Sequence, residues 1–431
     1  MAALLTLAGA QSCLFEQEDI FEKTSSARLT EAMETAQQAL ISSENGWVME
    51  YYPESTQKYG GFVLTMKFTQ MEVEVRSQAK GPKASVTSYY KMINDNGPTL
   101  IFDTYNALIH TYSNPSATAY QAMGGEFEFV VMKVEEDRIT LRGPRTGNTI
   151  YMYKLTEPAE EYLAKVAQME EDFMLVGLKG TVGSTDVKFV IDTDANQISY
   201  TDAAGEKISQ AYVLTPVGFR TYAPFKFGDA ALQDFKVNED GKHVDCSGIQ
   251  LAAAFPEGYR PYSEYEGKYT FTWGSKSENT ATVTLVPDED RKGYYMTGLN
   301  PYYDIHLSYS KGKGILLMYS QMLKLNGDYV MIGDKNLGLT CNDRAKGYLN
   351  YSETVGMITT WNLDETNPVY TFSDNGAWGS YQVTSFTFYT FSGTIQSTSA
   401  RDKTTQDYKD YWPCATTYRL EYLKSLTKIA D

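Results

Sequence analysis

The chain has 431 residues, Lys+Arg 38 against Asp+Glu 54, and a net charge of −16, with 42% hydrophobic and 21% charged residues. That balance excludes wholesale disorder, and the length predicts about two to four domains. The acidic excess argues against nucleic acid as a partner and against basic docking on an anionic membrane surface.

Residues 1–10 read MAALLTLAGA and are followed by Gln11, Ser12 and Cys13. The run is too short to span a bilayer, and it has the layout of the end of a secretory signal. An apolar run stopping at a Cys after small residues is lipobox-like, which makes Cys13 the lipidated first residue of a mature chain. No Lys or Arg precedes the run and Gln11 departs from the usual lipobox; a start further upstream would supply the basic segment. The alternative is an ordinary start with a buried Cys. The acid-rich stretch Leu14-Phe15-Glu16-Gln17-Glu18-Asp19 resembles the surface-export signal of Bacteroidota lipoproteins and implies the outer face of the outer membrane. A solvated acidic linker is the plainer reading of it.

The spacing of Leu29, Met33, Ala36 and Leu40 predicts a helix over 25–42, capped by Ser25 or Ser26 and stopped by Asn45-Gly46. Trp47 is expected to pack that helix on the first sheet. From there to Leu155 the pattern alternates: Phe62, Leu64, Met66 and Phe68 on one strand face, Phe127, Phe129 and Val131 on another, then Ile139 with Leu141. Turns fall at Gly143-Pro144 and Thr146-Gly147-Asn148, and Tyr151, Tyr153 and Leu155 lie on the next strand. A second helix is predicted over 157–172, capped by Thr156, with Pro158 in its first turn and Tyr162, Val166, Met169 and Phe173 on one face. Val187, Phe189 and Ile191 then alternate, and Asp194-Ala195-Asn196 makes a turn.

Phe255-Pro256-Glu257-Gly258 reads as a boundary. Beyond it Tyr269, Phe271 and Trp273 share a face, Val283 and Leu285 precede a charged turn at 288–292, and Ile305, Leu307 and Tyr309 lead to a Lys311-Gly312-Lys313-Gly314 hairpin. Strands follow at 369–372 and 386–391. The expected fold is mainly β with a few short helices, in two or three antiparallel meander or barrel-like modules. The divisions are 1–24 (signal and acidic linker), 25–155, 156–258, and a Tyr-rich module over 259–431.

Trp47-Val48-Met49-Glu50-Tyr51-Tyr52-Pro53, Gly60-Gly61-Phe62, Met66-Lys67-Phe68, Gly124-Gly125-Glu126-Phe127-Glu128-Phe129, Ile139-Thr140-Leu141-Arg142-Gly143 and Thr146-Gly147-Asn148 together resemble the domain-of-unknown-function family 4302 of Bacteroidota lipoproteins. These strings cover roughly residues 25–155. The resemblance implies an accessory lipoprotein beside an outer-membrane nutrient importer and carries over no catalytic residue.

The chemistry-bearing motifs are few. Asp192-x-Asp194-x-Asn196 begins like a calcium loop but has Gln197 and Ala203 where Gly and Glu are needed, so it reads as a polar turn. Gly312-x-Gly314 lacks the rest of a dinucleotide fingerprint. Only His110, His243 and His306 are present, no His-Glu-x-x-His or Cys-x-x-Cys occurs, and neither a metal nor a cofactor is implied. Asp304 and His306 share a strand face, as do Glu72 with Glu74 and Glu126 with Glu128; the plain reading of each is a wet strand face. Cys246, Cys341 and Cys414 are either buried thiols or include a Cys341–Cys414 bridge. With 34 Tyr, the aromatics at strand ends and loops are the candidate ligand contacts: Tyr294, Tyr295, Tyr302, Tyr303, Trp378, Tyr381, Tyr411 and Trp412. They can equally be packing. The expected function is a non-enzymatic surface binding protein that takes a glycan or peptide for an importer and is tethered to the membrane through its N-terminal lipid. The alternatives are a structural or adhesion protein and a hydrolase with an unrecognised carboxylate pair.

Overall fold

A computed structural model describes residues 24–115, 120, 122–290, 292–392, 395–399 and 406–430. The chain divides into two compact units, 1–56 with 62–163, and 57–61 with 164–431.

The first unit is built on α1 (Ser25–Ile41) and a closed antiparallel barrel. Its strands are β1 (Trp47–Tyr51), β2 (Phe62–Phe68), β3 (Glu72–Ser77), β4 (Ser85–Asn94), β5 (Pro98–Phe102), β6 (Glu128–Val134), β7 (Arg138–Arg142) and β8 (Thr149–Lys154), each beside the next. Met49 opposite Met152 closes the ring between β1 and β8. Between β5 and β6 lies a one-turn helix that the sequence did not announce, α2 (Ala107–His110), capped by the Asn106 side chain on Leu108 N–H. Thr24, not Ser25 or Ser26, caps α1: its extended backbone aims Oγ1 at Ala27 N–H, 3.2 Å away. Ala36 and Leu40 enter the barrel core, and Trp47 Nε1 donates to Leu40 O at 2.9 Å, as expected of the helix-to-sheet anchor. Gly46, just before Trp47, has φ +86°, and a Cβ there would lie 2.5 Å from the Met66 carbonyl oxygen, so a side chain has no room.

Alternation fills this barrel. Leu64, Met66, Val73, Val75, Leu100, Phe102, Phe129, Leu141, Ile150 and Met152 are all buried. Tyr151 and Tyr153 are half-buried on the face of β8 opposite Ile150 and Met152, because a strand reverses face at every residue.

Three of the strings that carry the family resemblance meet at one corner of the barrel. Tyr51 Oη accepts Glu126 N–H at 2.6 Å and donates to Glu126 O at 3.0 Å. The Glu126 carboxylate accepts Thr146 N–H, and Asn148 Nδ2 donates to Tyr52 O at 2.9 Å and Glu54 O at 2.7 Å. A Cβ on Gly125 would collide with Tyr51 Oη and Tyr112. Glu126 is therefore not on a wet strand face: it lies before β6, is buried, and closes a turn.

The second unit starts within α3 (Ala159–Asp172). Tyr162 N–H bonds Pro158 O, and Thr156 lies outside the helix, since Glu157, the residue before Pro158, is driven out of helical conformation. Leu163, Val166 and Phe173 are the buried residues of this segment, with Tyr162 and Met169 half-buried. A second closed barrel follows: β9 (Gly177–Val182), β10 (Thr185–Asp192), β11 (Gln197–Thr201), β12 (Lys207–Thr215), β13 (Gly218–Phe227), β14 (Ala230–Val237), β15 (His243–Cys246) and β16 (Ile249–Ala253), with β16 returning to β9. Phe189 sits among Tyr200, Phe225, Phe227 and Phe235, and Phe219 stacks on Phe235 at 4.6 Å. Asp192 Oδ1 accepts Asp194 and Ala195 N–H at 3.1 Å, so the would-be calcium loop spends its first carboxylate on the turn.

The last module carries β17 (Gly267–Trp273), β18 (Asn279–Pro287), β19 (Gly293–Asn300), β20 (Tyr303–Ser310), β21 (Ile315–Tyr319), β22 (Gln321–Met322), β23 (Lys324–Leu325), β24 (Asp328–Tyr329), β25 (Met331–Ile332), β26 (Lys335–Asp343), β27 (Tyr348–Asn350), β28 (Gly356–Trp361), β29 (Val369–Asp374), β30 (Ser385–Ser392), β31 (Ile395–Ser399), β32 (Arg419–Leu420) and β33 (Leu423–Lys428). Strands β17 to β21 with β28, β29 and β33 form another ring of eight, closed by the pairing of β19 with β20. A second sheet, β22-β26-β30-β31 with short side strands, packs Leu337, Leu339, Cys341, Phe386 and Phe388 into the same core. Cys246, Cys341 and Cys414 are free thiols; Cys341 Sγ donates to Val355 O at 3.0 Å, and burial pushes that thiol up to about 11.

Tyr51→Phe should weaken the first barrel by about 1–3 kcal/mol, the cost of stranding one buried N–H and one carbonyl. Denaturant-dependent hydrogen exchange of peptides from 47–154 measures it, and an unchanged exchange profile would remove Tyr51 from the role assigned here.

Candidate functional site

All three rings are filled by side chains, so the outer faces and loops are left to meet a ligand. The paired tyrosines of the last module obey the two-residue period. Tyr294 and Tyr303 point inward and are fully buried, which removes both as ligand contacts. The Tyr294 hydroxyl donates to Tyr262 O, and the Tyr303 ring lies 5.2 Å from Phe388. Their neighbours face the other way: Tyr302 is 44% exposed, and Tyr295 is half-buried on the outer face of β19.

The other candidates gather into two clusters. Tyr302 and Tyr411 are 4.9 Å apart, and Asn300 Nδ2 holds the following turn through Asp410 O at 2.8 Å and Trp412 O at 3.0 Å. Trp412 lies 6.0 Å from the buried ring of Tyr418. Trp378 and Tyr381 are 5.2 Å apart, and Tyr381 meets Tyr348, which is 54% exposed, at 4.9 Å. Lys346 Nζ sits 5.0 Å from the centre of the Tyr381 ring. Trp378 and Tyr411 are half-buried and also pack on the core, so each cluster is anchored from below and partly open above.

Tyr295 belongs to a different feature, which the sequence did not single out. It walls a cleft of about 540 Å³ with Thr297, Asp304, Lys324 and the turn residues Asp288, Glu289 and Asp290. Burial holds the Asp304 carboxyl above its usual range. His306, on the same face as Asp304, contacts Asp288 Oδ2 through Nε2 at 2.9 Å. The sequence showed Asp304-x-His306 and the charged turn at 288–292 separately; their meeting across eighteen residues was not legible. A cleft of about 570 Å³ in the first unit, between α1 and the β3–β5 region, is lined by Met33, Met71, Met92 and Tyr89.

The carboxylate pairs singled out in the sequence are occupied elsewhere. Glu74 is 3.0 Å from Arg76, and Glu126 closes the corner turn. No group of three or more metal-ligating side chains occurs among the described residues. Cys13 and the apolar and acidic stretches around it lie outside the described residues. No helix among the described residues is long and apolar enough to cross a membrane.

A family model described as Domain of unknown function (DUF4302) matches residues 17–239, well past the strings at 25–155. A second, also a domain of unknown function (DUF4987), matches residues 242–389. No curated protein and no solved structure matches the chain.

Because burial raises the folded-state pKa of Asp304 above the unfolded one, its charge destabilises the fold at neutral pH, and that loss fades as pH falls through the folded value. Asp304→Asn should therefore raise the melting temperature at pH 7, with the gap over the parent shrinking in acid. A variant that melts lower than the parent at pH 7 would contradict this.

Proposed function

The chain belongs to the domain-of-unknown-function family 4302, and from that premise we propose a non-enzymatic exported lipoprotein, tethered at Cys13 to the outer membrane and exposed at the cell surface, that captures a glycan or peptide for a nutrient importer. One observation carries the binding part: two aromatic clusters, Tyr302–Tyr411 and Trp378–Tyr381–Tyr348, stand half-open on a module whose core is rigidly filled. Flat rings held from below can stack on sugar faces or peptide side chains without losing much side-chain freedom on binding. The apolar run ending at Cys13 supports the tether, because acyl chains on one N-terminal Cys anchor by burying their methylenes.

Two measurements test this reading. The purified chain should bind a member of a glycan and peptide panel saturably, and Trp378→Ala should weaken that binding tenfold or more while leaving the circular dichroism unchanged. Attachment to host matrix with no binding of small oligomers would favour an adhesion or structural role instead. Cys13→Ala should move the protein from the membrane to the soluble fraction; identical fractionation of parent and variant would end the lipoprotein reading.

A further inference from the structure

The outward face of β20 presents Asp304, His306 and Ser308 in line. Two recesses lie along it. The first is the 540 Å³ cleft at Asp304; the second, about 310 Å³, begins at His306 and runs past Ser308, Tyr319 and Gln321 to Glu353. The Asp288–His306 contact links them, since Asp288 lines the first recess and His306 the second.

Among the described residues, four carboxylates border the first recess against one ammonium. Most of these charges have partners. Asp288 meets His306, Asp290 lies 3.4 Å from Lys292, and the Lys324 ammonium sits 4.8 Å from the centre of the Tyr329 ring. Asp304 differs: it is half-buried, and its carboxylate makes no hydrogen bond or ion pair among the described residues. A partly desolvated carboxylate without a donor is unfavourable until something supplies one. A sugar hydroxyl would supply the hydrogen bond and leave the excess negative charge. An ammonium or guanidinium supplies both, and Tyr295 offers it an aromatic wall.

Deepening the binding reading above and resting on it, we propose that the first recess takes the lysine or arginine side chain of a peptide, whose main chain continues along β20 into the second recess. The Ser308 hydroxyl there suits a peptide group, while the Gln321 amide, bonded to the His306 backbone on both sides, fixes the wall.

Titration calorimetry of the full chain with acetyl-trilysine amide tests it, with the same peptide acetylated on every side-chain nitrogen, spermidine and chitosan trisaccharide as comparisons. Saturable binding is expected for the basic peptide, at least tenfold weaker for its acetylated form. Asp304→Asn should weaken it tenfold or more, while Asp240→Asn, outside the cleft, leaves it unchanged. Equal binding of the acetylated peptide, or no effect of Asp304→Asn in a folded variant, overturns the assignment. Tighter binding of spermidine or of the amino sugar overturns the choice of a peptide. If no basic peptide binds and Trp378→Ala still abolishes capture of a panel ligand, this inference fails while the binding-module reading stands.

Discussion

A ring of eight antiparallel strands encloses a space just wide enough for one set of large side chains, and this geometry governs the whole chain. Each ring here satisfies it with aromatic and aliphatic residues at every second position. Because a closed ring has no exposed edge, each barrel avoids the unpaired strands that invite aggregation. The cost is that the interior has no room for a ligand. Any recognition has to be built on outward residues, where alternation leaves polar side chains, or on the turns.

The same geometry explains the tyrosines. A buried ring with a hydroxyl needs an acceptor, and the ends of a barrel offer backbone carbonyls not used in the ladder. In the last ring Tyr262 donates to Gly293 O, Tyr265 to Gly314 O, and Tyr269 to Tyr265 O. Tyr309 reaches Arg260 O at 2.9 Å and so ties the entering segment to the ring. Burial raises the pKa of the Tyr265, Tyr269 and Tyr309 hydroxyls, which therefore stay neutral donors across the working pH range. Tyrosine thus serves as a core residue that also sets the register of loops. In the first barrel Tyr51 does this for the turn at Glu126.

Much of this was legible in the sequence because period-two burial is local. Tyr269, Phe271 and Trp273, or Val187, Phe189 and Ile191, each show their inward face in five residues. Ring closure was not legible, since β1 meets β8 and β9 meets β16 across some seventy to a hundred residues with no shared motif. Glu126 looked like one half of a wet pair because its fate is set by Tyr51, seventy-five positions earlier. The tyrosine pairs looked alike as letters; strand phase separated the buried Tyr294 from the outward Tyr295, and the turn before β20 left Tyr302 outside while Tyr303 entered the core.

The family boundaries and the ring boundaries do not coincide. The first matched segment ends at residue 239 and the second begins at 242, both in the turn between β14 and β15. Yet β15 and β16 complete the second barrel, with Ala253 paired to Leu178 and Val244 facing Lys236's neighbour Val237. Six strands of that ring fall in one matched segment and two in the other. A cut at the family boundary would open the ring, expose the edges of β9 and β14, and uncover Phe189 and Phe235. The second barrel is therefore the joint at which the two matched segments depend on each other, and together with the last module it forms the compact unit that carries both the aromatic clusters and the acidic cleft.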